Sequence, residues 1–552
     1  MHLFYKPPGG TYTQLNSIFA HYNLSNQILM KKIFSFLIAI SCLTSVAAQT
    51  KEQETAAVRK LGIAQYAVSH LYVDSVDLTK ITEGAIKGML STLDPHSTYT
   101  NAAETKAMNE PLEGNFDGIG VQFNMLDDTL LVIQTVDKGP SQKAGILAGD
   151  RIVRVNDTVI AGVKMPQTEI MKRLRGKKGT TVHLGIRRTG VAEEIQFDVV
   201  RDKIPVHTLD AAYIIAPKVG YVRFGSFGKT THDEVRNAIL GLKEKGAESL
   251  IVDVRENGGG FLEAAIEVAN EFLAKGDMIV YTQGRAVPKV EYKARGGGIF
   301  TEGKTVVLVD EFSASASEIL AGALQDQDRA TIVGVRSFGK GLVQQPVGLP
   351  DGSLIRLTVA RYYTPAGRCI QKPYKPGENE AYNLDVLNRL RGGELTNADS
   401  IHHNDSLRCY TLRKHRPVYG GGGIIPDHFV PLDTTVYTNL YRNLSRKNLV
   451  LPAILKYNDT HRDELKKKYS SFEKFKKDYT CPDEIIDSIL AEGEKAKIKP
   501  KDDDEQKRTR KLLGKILKAI TARDIWDMTQ YFEIMNDGDA TIQKALEVIS
   551  QS

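Results

Sequence analysis

The feature that most constrains the fold of this chain is an alternation of strand and helix patterns between residues 205 and 370. Short apolar runs, typical of buried strands, alternate there with apolar residues at helical spacing. Such alternation predicts an α/β core, a mixed sheet with flanking helices. Strands are predicted at 219–224, 248–254, 305–310, 331–335 and 354–363, and helices at 231–244, 261–273 and 314–326.

A second, β-rich module precedes this core. Between residues 114 and 200 short apolar strands alternate with Gly, Asp and Asn turns, which is typical of a small β domain. Residues 52–92, on the N-terminal side of the module, carry apolar residues at helical spacing. The module therefore separates an N-terminal helical region from the α/β core, as an inserted domain would.

The remaining segments complete a division into six parts. A polar stretch before the glycines at 420–423 predicts an irregular insertion, and the charge-rich C-terminal part has apolar helical faces. The predicted parts are 1–48 (upstream residues and signal peptide), 49–105 (N-terminal helical region), 106–200 (β-rich module), 201–371 with 424–432 (α/β core), 372–423 (irregular insertion) and 433–552 (C-terminal helical region).

The first residues carry the pattern of an export signal. Met30 is followed by two lysines, an apolar run at 33–43 and small residues ending at Ala48, which predicts a secretory signal peptide with Met30 as the true start. The apolar run is too short to span a bilayer. A buried core helix and a lipid anchor on Cys42 stay open as alternatives. We expect an exported protein of the periplasm or cell envelope, with peripheral membrane association as a lesser alternative.

Charge and cysteine content exclude several classes of protein. Lys and Arg total 73 and Asp and Glu 67, a surplus of +6 that is too small over 552 residues to form a nucleic-acid-binding surface. Four cysteines cannot form a disulfide framework. No Cys/His cluster has zinc spacing, so we expect no metal site, and we expect no other cofactor.

The first candidate for chemistry is a serine in a turn of small residues. Ser315 lies where the predicted strand at 305–310 passes into a helix. A serine there holds its Oγ near the free N–H groups of a helix N-terminus, which can stabilise an oxyanion. Ser315-x-x-Glu318 is also a capping box, so a purely structural role stays open.

The second candidate is Lys340, which lies between two glycines directly after a predicted strand. The spacing from Gly334 resembles a phosphate-binding loop, but Gly341 replaces the Ser or Thr that would bind magnesium. Ser337-x-x-Lys340 matches the pattern of penicillin-binding enzymes, but the glycines oppose the helix that this pattern requires. In the third interpretation Lys340 is the general base for a serine elsewhere, kept neutral by desolvation and oriented by Gln344.

The third candidate is a run of three glycines after the predicted strand at 248–254. Gly258, Gly259 and Gly260 allow close backbone approach and expose N–H groups. The functional interpretation is an oxyanion or anion pocket, and the structural interpretation is a tight turn.

Histidines offer an alternative base, in a Ser/His/Asp triad. Only His96 lies in a distinctive segment, a turn, and the chain has no Gly-x-Ser-x-Gly nucleophile elbow. The candidates are His96, His207, His232 and His428.

Taken together, these elements resemble one family, the carboxyl-terminal processing peptidases, also called tail-specific proteases. The resemblance extends from about residue 60 to about residue 430, and the order and spacing of its short motifs are specific. The motifs that carry it are Gly88–Ser97, Phe116–Val121, Asp253–Gly260, Ser313–Glu318, Phe338–Gly341 with Gln344, and Tyr362–Arg368.

The resemblance implies a serine–lysine dyad. The matching positions are Ser315 as nucleophile and Lys340 as base, with Gln344 as a supporting residue. The family's oxyanion hole implies the following backbone N–H donors: Ala316, and Gly259 or Gly260.

The β-rich module resembles a PDZ domain. The segment Gly118, Ile119, Gly120 and Val121 matches the loop that receives a peptide C-terminus. PDZ domains bind such a peptide as an added strand and hold its carboxylate with backbone N–H groups.

The sequence therefore predicts a serine endopeptidase that recognises protein C-terminal tails through a PDZ domain and cleaves near them through an acyl-enzyme. The expected partners are such tails and further copies of the chain, in a homodimer or higher homo-oligomer, and not nucleic acid. A non-catalytic PDZ scaffold of the cell envelope stays open, because it would keep the peptide-binding loop without using Ser315 or Lys340.

Overall fold

The computed structural model describes residues 51–551. The predicted signal peptide, its start at Met30 and the alternative anchor at Cys42 lie outside these residues and stay predictions. The chain forms two compact units, one up to Met89 and one from Leu90 onward. Among residues 51–551 no helix combines the length and the apolar character that crossing a bilayer requires.

The first unit is helical, as predicted. Helix α1 covers residues 51–71 and α2 covers Leu78–Ser91. The Asp77 side chain accepts the N–H groups at the start of α2, which fixes where this helix begins. Many large apolar side chains of this unit are exposed, among them Val58, Leu61, Ile63, Tyr66 and Leu71.

The β-rich module is a domain with an apolar core of its own. It comprises β2 (Asn115–Gly118), β3 (Val121–Leu126), β4 (Thr129–Thr135), α4 (Pro140–Ala144), β5 (Arg151–Val155), β6 (Thr158–Val159), α5 (Gln167–Leu174), β7 (Thr181–Arg187), β8 (Ile195–Val200) and β9 (Asp202–Pro205), and it follows β1 (Thr98–Thr100) and α3 (Ala102–Glu113). Its main sheet has the order β3-β4-β5-β7-β8, so β3 is an edge strand. Because β2 pairs with β9, the chain enters and leaves the domain side by side, as an inserted domain requires.

The α/β core is built on a six-stranded sheet. Its elements are β10 (Leu209–Ala216), β11 (Val219–Phe224), α6 (Thr231–Glu244), β12 (Ser249–Asp253), α7 (Leu262–Asn270), β15 (Thr305–Val309), α8 (Ala316–Asp326), β16 (Thr331–Gly334) and β21 (His428–Phe429). The order is β10-β11-β12-β15-β16-β21, and all neighbours after β10 and β11 are parallel. The carboxyl ends of β12, β15 and β16 therefore lie side by side at one edge of the sheet.

A second, antiparallel sheet lies in the same domain. It comprises β13 (Met278–Gln283), β14 (Val290–Lys293), β17 (Leu342–Gly348) and β18 (Leu354–Tyr363), and the short β1 also pairs with β18. The strand predicted at 354–363 belongs to this sheet and not to the parallel one. The sequence did not predict β17, which carries Gln344 and directly follows the loop that holds Lys340.

The insertion at 372–423 is more ordered than the sequence indicated. Instead of irregular structure it contains two helices, α9 (Asn379–Asn383) and α10 (Asp385–Arg391), and a two-stranded sheet of β19 (Arg408–Tyr410) and β20 (Pro417–Tyr419). Few of its side chains are apolar, but Tyr382, Leu395 and Val418 are buried. These anchors order a segment whose polar composition has no helical or strand period.

The C-terminal region is helical, as predicted. It comprises α11 (Asn439–Arg446), α12 (Val450–Lys468), α13 (Phe472–Asp478), α14 (Asp483–Lys495), α15 (Asp503–Ile525), α16 (Met528–Met535) and α17 (Ala540–Ser550). Leu455 of α12 packs against apolar residues on the outer face of the β-rich domain, and Asp459 pairs with Arg151 there. Helix α17 packs on the parallel sheet, and its N-cap Asp539 pairs with Arg255.

Candidate active site

Ser315 lies in the turn between β15 and α8, as predicted. Its backbone has φ 57° and ψ −112°, a left-handed φ that is costly for a residue with a side chain. The Asp310 carboxylate fixes the turn by accepting the N–H groups of Phe312 at 3.0 Å and Ser313 at 2.9 Å. The Ser313 hydroxyl donates to the carbonyl of Val254 at 2.8 Å, which ties the turn to the end of the neighbouring strand. The serine thus stands at the N-terminus of a buried helix in a strained, well-supported conformation.

Lys340 lies in the loop that follows β16 and is half-buried. Its Nζ donates to Oε1 of Gln344 at 3.1 Å, and the Gln344 amide donates in turn to the carbonyl of His96. Burial lowers the pKa of Lys340 below its ordinary value, and the charge of Arg356 acts in the same direction. Among the described residues Nζ has no hydrogen bond to Ser315 Oγ. The base and its supporting glutamine are therefore in contact, while the contact between base and nucleophile is not formed.

One buried carboxylate joins the turn that carries Ser315, the serine turn, to the loop that carries Lys340. Glu318 is fully buried, and its Oε2 accepts the N–H of Ser315 at 2.8 Å and that of Lys340 at 2.9 Å. Its Oε1 accepts the N–H of Gly339 at 2.7 Å and the hydroxyl of Ser337 at 2.5 Å. Burial raises the pKa of Glu318, and these hydrogen bonds oppose that shift.

A buried phenol joins the same two segments from another side. The Tyr362 hydroxyl lies 2.6 Å from the carbonyl oxygen of Lys340 and 3.1 Å from that of Ser315. Sequence reasoning assigned Glu318 only to a capping box and gave Tyr362 no role. The available signal was a glutamate directly before the apolar run at 319–324, where a buried carboxylate needs several donors.

The glycine run packs directly against the nucleophile. Gly259 has φ +100°, and a Cβ placed there would lie 2.8 Å from the Ser315 Cβ and 3.0 Å from the Ala316 nitrogen. The Asn257 carbonyl accepts the N–H of Ala314 at 3.1 Å, so this turn and the serine turn are hydrogen-bonded. Only glycine fits at this close approach.

The predicted oxyanion donors differ in their hydrogen bonds. The Gly259 N–H donates to the Asn257 side chain at 2.9 Å, so an oxyanion would have to share or displace that bond. Within residues 51–551 the N–H groups of Ala316 and Gly260 have no acceptor. The Ala316 N–H is the first of α8, where a helix N-terminus favours negative charge.

The predicted PDZ loop leads into the edge strand β3. Gly120 has φ +72°, and a Cβ there would lie 3.0 Å from Ile204 and 3.3 Å from Pro140. The Ile119 carbonyl accepts the N–H and the hydroxyl of Ser141, at 3.0 and 2.7 Å. A preformed loop beside an open strand edge is the arrangement by which a peptide is added to a sheet.

Two of the four histidine alternatives, His96 and His232, are bonded to residues other than Ser315. His96 Nε2 lies 2.7 Å from the Tyr382 hydroxyl, and burial, followed by the charge of Lys340, lowers its pKa to about 4. His232 pairs with Glu271 at 2.7 Å. Among the described residues no histidine forms a hydrogen bond with Ser315.

The serine of the Ser-x-x-Lys alternative is also engaged. Ser337 is fully buried, its hydroxyl donates to Glu318, and it accepts the N–H of Ile424 at 2.7 Å. Ser315, by contrast, is only half-buried, and the residue before it lines a shallow depression of about 460 Å³. That depression is lined by Glu256, Gly258, Phe312, Ala314 and Phe338.

Family models match four parts of the chain. The model of peptidase family S41 matches residues 218–377, and the PDZ domain model matches residues 118–199. The model of the activating protease CtpB N-terminal domain matches residues 38–105. Residues 440–527 match a family of unknown function, DUF8443.

Named relatives share the central part of the chain. The carboxy-terminal-processing protease of Bartonella bacilliformis is 40% identical over 305 residues, which cover 54% of this chain and 69% of the relative. Carboxy-terminal processing protease CtpB of Bacillus subtilis is 36% identical over 331 residues, covering 59% and 68%. A solved structure titled photosystem II D1 C-terminal processing protease has 31% identity and a TM-score of 0.32, covering 56% of this chain and 88% of that one.

The matched models define the class of protein first: a serine peptidase core that carries a PDZ domain. The match to a named relative, 40% identical over 69% of its length, then defines the family. The chain belongs to the carboxy-terminal processing proteases of peptidase family S41. The predicted fold class, family and enzyme class are thereby confirmed, and the assignment of individual site residues stays a prediction.

Proposed function

We propose that this peptidase cleaves proteins near their C-termini, with Ser315 as the nucleophile and Lys340 as the general base. The observation that carries the proposal is the shared anchoring of the two residues by Glu318 and Tyr362, which holds their backbones in one arrangement. Such pre-organisation is what catalysis by positioned groups requires.

The reaction is acyl transfer. Neutral Lys340 takes the proton from Ser315 Oγ as the oxygen attacks the scissile carbonyl, and backbone N–H groups stabilise the oxyanion. The lysine then protonates the leaving amine, and water repeats the sequence on the acyl-enzyme. Gln344 accepts one N–H of the amine, which leaves the nitrogen lone pair to be directed at the serine.

The depression beside the serine supports the acceptance of an apolar side chain next to the scissile bond. Phe312 and Phe338 line it, and half of the Phe312 side chain is exposed, at 52%. Burying such surface against an apolar substrate residue is favourable.

The PDZ domain supplies the proposed selection of chain ends. Gly120 and its neighbours form the loop before β3, whose outer edge pairs with no strand among the described residues. A peptide that adds to this edge brings its terminal carboxylate to the loop, so only a free chain end is recognised.

Mass mapping of cleavage products tests the proposal. An unfolded protein with a free C-terminus is incubated with wild type and with Ser315→Ala, Lys340→Ala and Ser337→Ala, and exposed Lys414→Ala is the control for lysine removal. We expect C-terminal fragments from wild type and Lys414→Ala, and almost none without Ser315 or Lys340, since members of such a unit act together.

Three results would contradict the proposal. Full cleavage by Ser315→Ala together with loss in Ser337→Ala would select the Ser-x-x-Lys alternative. Tail binding by wild type without any cleavage would select the non-catalytic scaffold. Equal cleavage of free and C-terminally amidated substrates would reject recognition of the tail.

We also propose export and self-association. The lysines and apolar run after Met30 support a signal peptide, with the Cys42 anchor as the alternative that a Cys42→Ser variant in cell fractionation distinguishes. Exposed apolar side chains of the first unit, such as Leu61 and Leu71, support a homodimer. Light scattering should give a dimer for wild type and a monomer for Leu61→Glu, and a monomeric wild type would reject the dimer.

A further inference from the structure

The insertion between Gln371 and Gly423 contacts the segment that carries the proposed base. We call residues 336–341 the lysine loop. Two of its positions, Gly339 and Gly341, are glycines, and Gly339 has φ +90°. Glycine leaves a loop with much conformational freedom, so contacts from outside must determine where Lys340 lies.

Arg389 of α10 makes two of these contacts through its side chain. It is 5% exposed, and its guanidinium donates to the carbonyl of Ser337 at 3.1 Å and to that of Arg336 at 2.5 Å. Glu394 fixes the guanidinium by accepting Arg389 Nε at 3.1 Å, and it also accepts from the Arg336 side chain at 2.7 Å. Arg389 thus satisfies two loop carbonyls with a charged, buried and oriented donor.

A second group of insertion residues contacts the other part of the loop. Lys372 is 3% exposed, pairs with Asp385 at 3.0 Å, and lies 3.8 Å from the ring centroid of Phe338 and 4.1 Å from that of Tyr382. Its N–H also donates to the carbonyl of Gly339 at 2.9 Å. The insertion therefore holds both Phe338 and Gly339, the two residues that precede Lys340.

Tyr382 also connects the insertion, through His96, to Gln344, the glutamine that orients the base. The Tyr382 hydroxyl lies 2.7 Å from His96 Nε2, and the carbonyl of His96 accepts the amide of Gln344. Tyr382 also accepts the side-chain amide of Gln371 at 3.3 Å. Gln371 in turn accepts the N–H of Gly341 at 2.8 Å, directly after Lys340.

We infer that the insertion, through Arg389 above all, is a positioning element for Lys340. Arg389 does not touch substrate or the reacting atoms; it fixes the backbone from which the base is presented to Ser315. The inference rests on the proposed function, in which Lys340 is the base. It assigns a mechanistic role to a segment whose sequence indicated only a surface insertion.

The test compares two arginines of the same insertion. Arg389→Gln removes the donor to the lysine loop, whereas Arg413→Gln removes an exposed arginine that pairs with Asp277 away from that loop. We expect kcat of Arg389→Gln to fall on the order of 10²-fold with KM little changed, because small misplacement of a catalytic group has that effect. We expect Arg413→Gln to match wild type.

A pH profile separates positioning from general stability. A released loop exposes Lys340 to water, so its pKa rises toward the ordinary value and the acid limb of kcat/KM moves to higher pH. Arg389→Lys keeps the positive charge but loses the planar group that donates to both carbonyls. Compared with Arg389→Gln, it should therefore recover more of the stability than of the kcat. Should Arg389→Gln fail to fold, Arg389→Lys and Tyr382→Phe provide the same readouts.

The outcomes distinguish this inference from the proposed function. Wild-type kcat and an unmoved acid limb in Arg389→Gln, with Lys340→Ala inactive, would overturn the positioning role alone. An active Lys340→Ala would overturn the base and with it the inference. Reduced kcat, a shifted limb and an unchanged control would establish both.

Discussion

Glu318 and Lys340 are joined by a hydrogen bond from the Lys340 main-chain N–H to the carboxylate, at 2.9 Å. The same oxygen accepts the N–H of Ser315 at 2.8 Å, so one acceptor fixes both proposed catalytic residues through their backbones. The carboxylate thereby sets the geometry of the pair while leaving the side chains of serine and lysine to react. The capping-box pattern that made Ser315 ambiguous in the sequence is part of the arrangement that positions it.

Glu318→Gln should uncouple the two loops. Three N–H groups and one hydroxyl donate to the Glu318 carboxylate. The glutamine amide has only one acceptor oxygen, and its NH2 group is itself a donor, so some of the four groups would lose their acceptor. We expect a loss of about 1–3 kcal/mol in the free energy of unfolding from the unsatisfied buried groups. We also expect kcat to fall on the order of 10²-fold. Steady-state kinetics measure the change in kcat, and denaturant titration measures the change in stability. Glu263→Gln, an exposed glutamate in the first turn of α7, is the control, and equal behaviour of the two variants would reject the prediction.

Gly259→Ala should damage the site through the contact with the nucleophile. Its added Cβ would meet the Ser315 Cβ at 2.8 Å, and φ +100° is unfavourable for alanine, so the serine turn must move. We expect kcat/KM to drop on the order of 10²-fold. Gly276→Ala is the matched control outside the site, because Gly276 shares the left-handed φ, at +92°, but a Cβ there meets nothing within 4 Å. Similar kinetics for the two variants would show that the close approach does not matter.

Local chemistry explains which parts of the site the sequence could predict. The glycine run, Ser315 and Lys340 each follow an apolar run that forms a strand, and β12, β15 and β16 are parallel neighbours. A turn after a buried strand is readable from a few residues. The three turns lie close together because their strands are parallel neighbours whose carboxyl ends share one edge of the sheet.

Contacts distant in sequence explain what could not be predicted. Tyr382 reaches His96 across 286 positions, and nothing near either residue indicates the other. The insertion was expected to be irregular because its polar residues have no period. Besides its buried apolar anchors, Arg389 and Lys372 order it. The buried charge of Arg389 is satisfied by the carbonyl of Ser337 in the core, and that of Lys372 by Asp385 within the insertion. Buried charged residues of this kind look like surface residues in a sequence.

Lys340→Met should remove activity and increase stability at neutral pH. Burial lowers the pKa of Lys340 below the ordinary 10.5, so the unfolded chain binds this proton more tightly than the folded chain. Stability therefore rises with pH between the folded-state pKa and 10.5, and below that window the buried lysine opposes folding. Methionine carries no such charge.

Denaturant titration across pH checks this prediction. The stability advantage of Lys340→Met over wild type should be largest at neutral pH and should shrink as pH approaches 10.5. Lys414→Met, at an exposed lysine, should show no such trend. In wild type kcat/KM should rise with pH along a single limb whose midpoint lies below 10.5. A limb centred at or above 10.5 would mean that Lys340 is not desolvated in the working enzyme.

Gly120→Ala should weaken tail binding without altering the peptidase site. The substitution places a Cβ 3.0 Å from Ile204 and 3.3 Å from Pro140 at φ +72°, which distorts the loop proposed to receive the carboxylate. Gly162→Ala shares the left-handed φ, at +71°, but meets nothing within 4 Å, so it controls for backbone strain alone. A distortion costing about 1.4 kcal/mol of binding free energy corresponds to a tenfold higher Kd.

Binding titrations with a free-carboxyl peptide and its C-terminal amide measure the effect. In wild type and Gly162→Ala the free acid should bind more tightly than the amide, because only the acid supplies the terminal charge. In Gly120→Ala that preference should shrink while kcat on a short internal peptide stays at the wild-type value. An undiminished preference in Gly120→Ala would place carboxylate recognition outside this loop. Loss of kcat in the same variant would instead mean that the loop and the peptidase site are coupled, which an independent docking domain does not require.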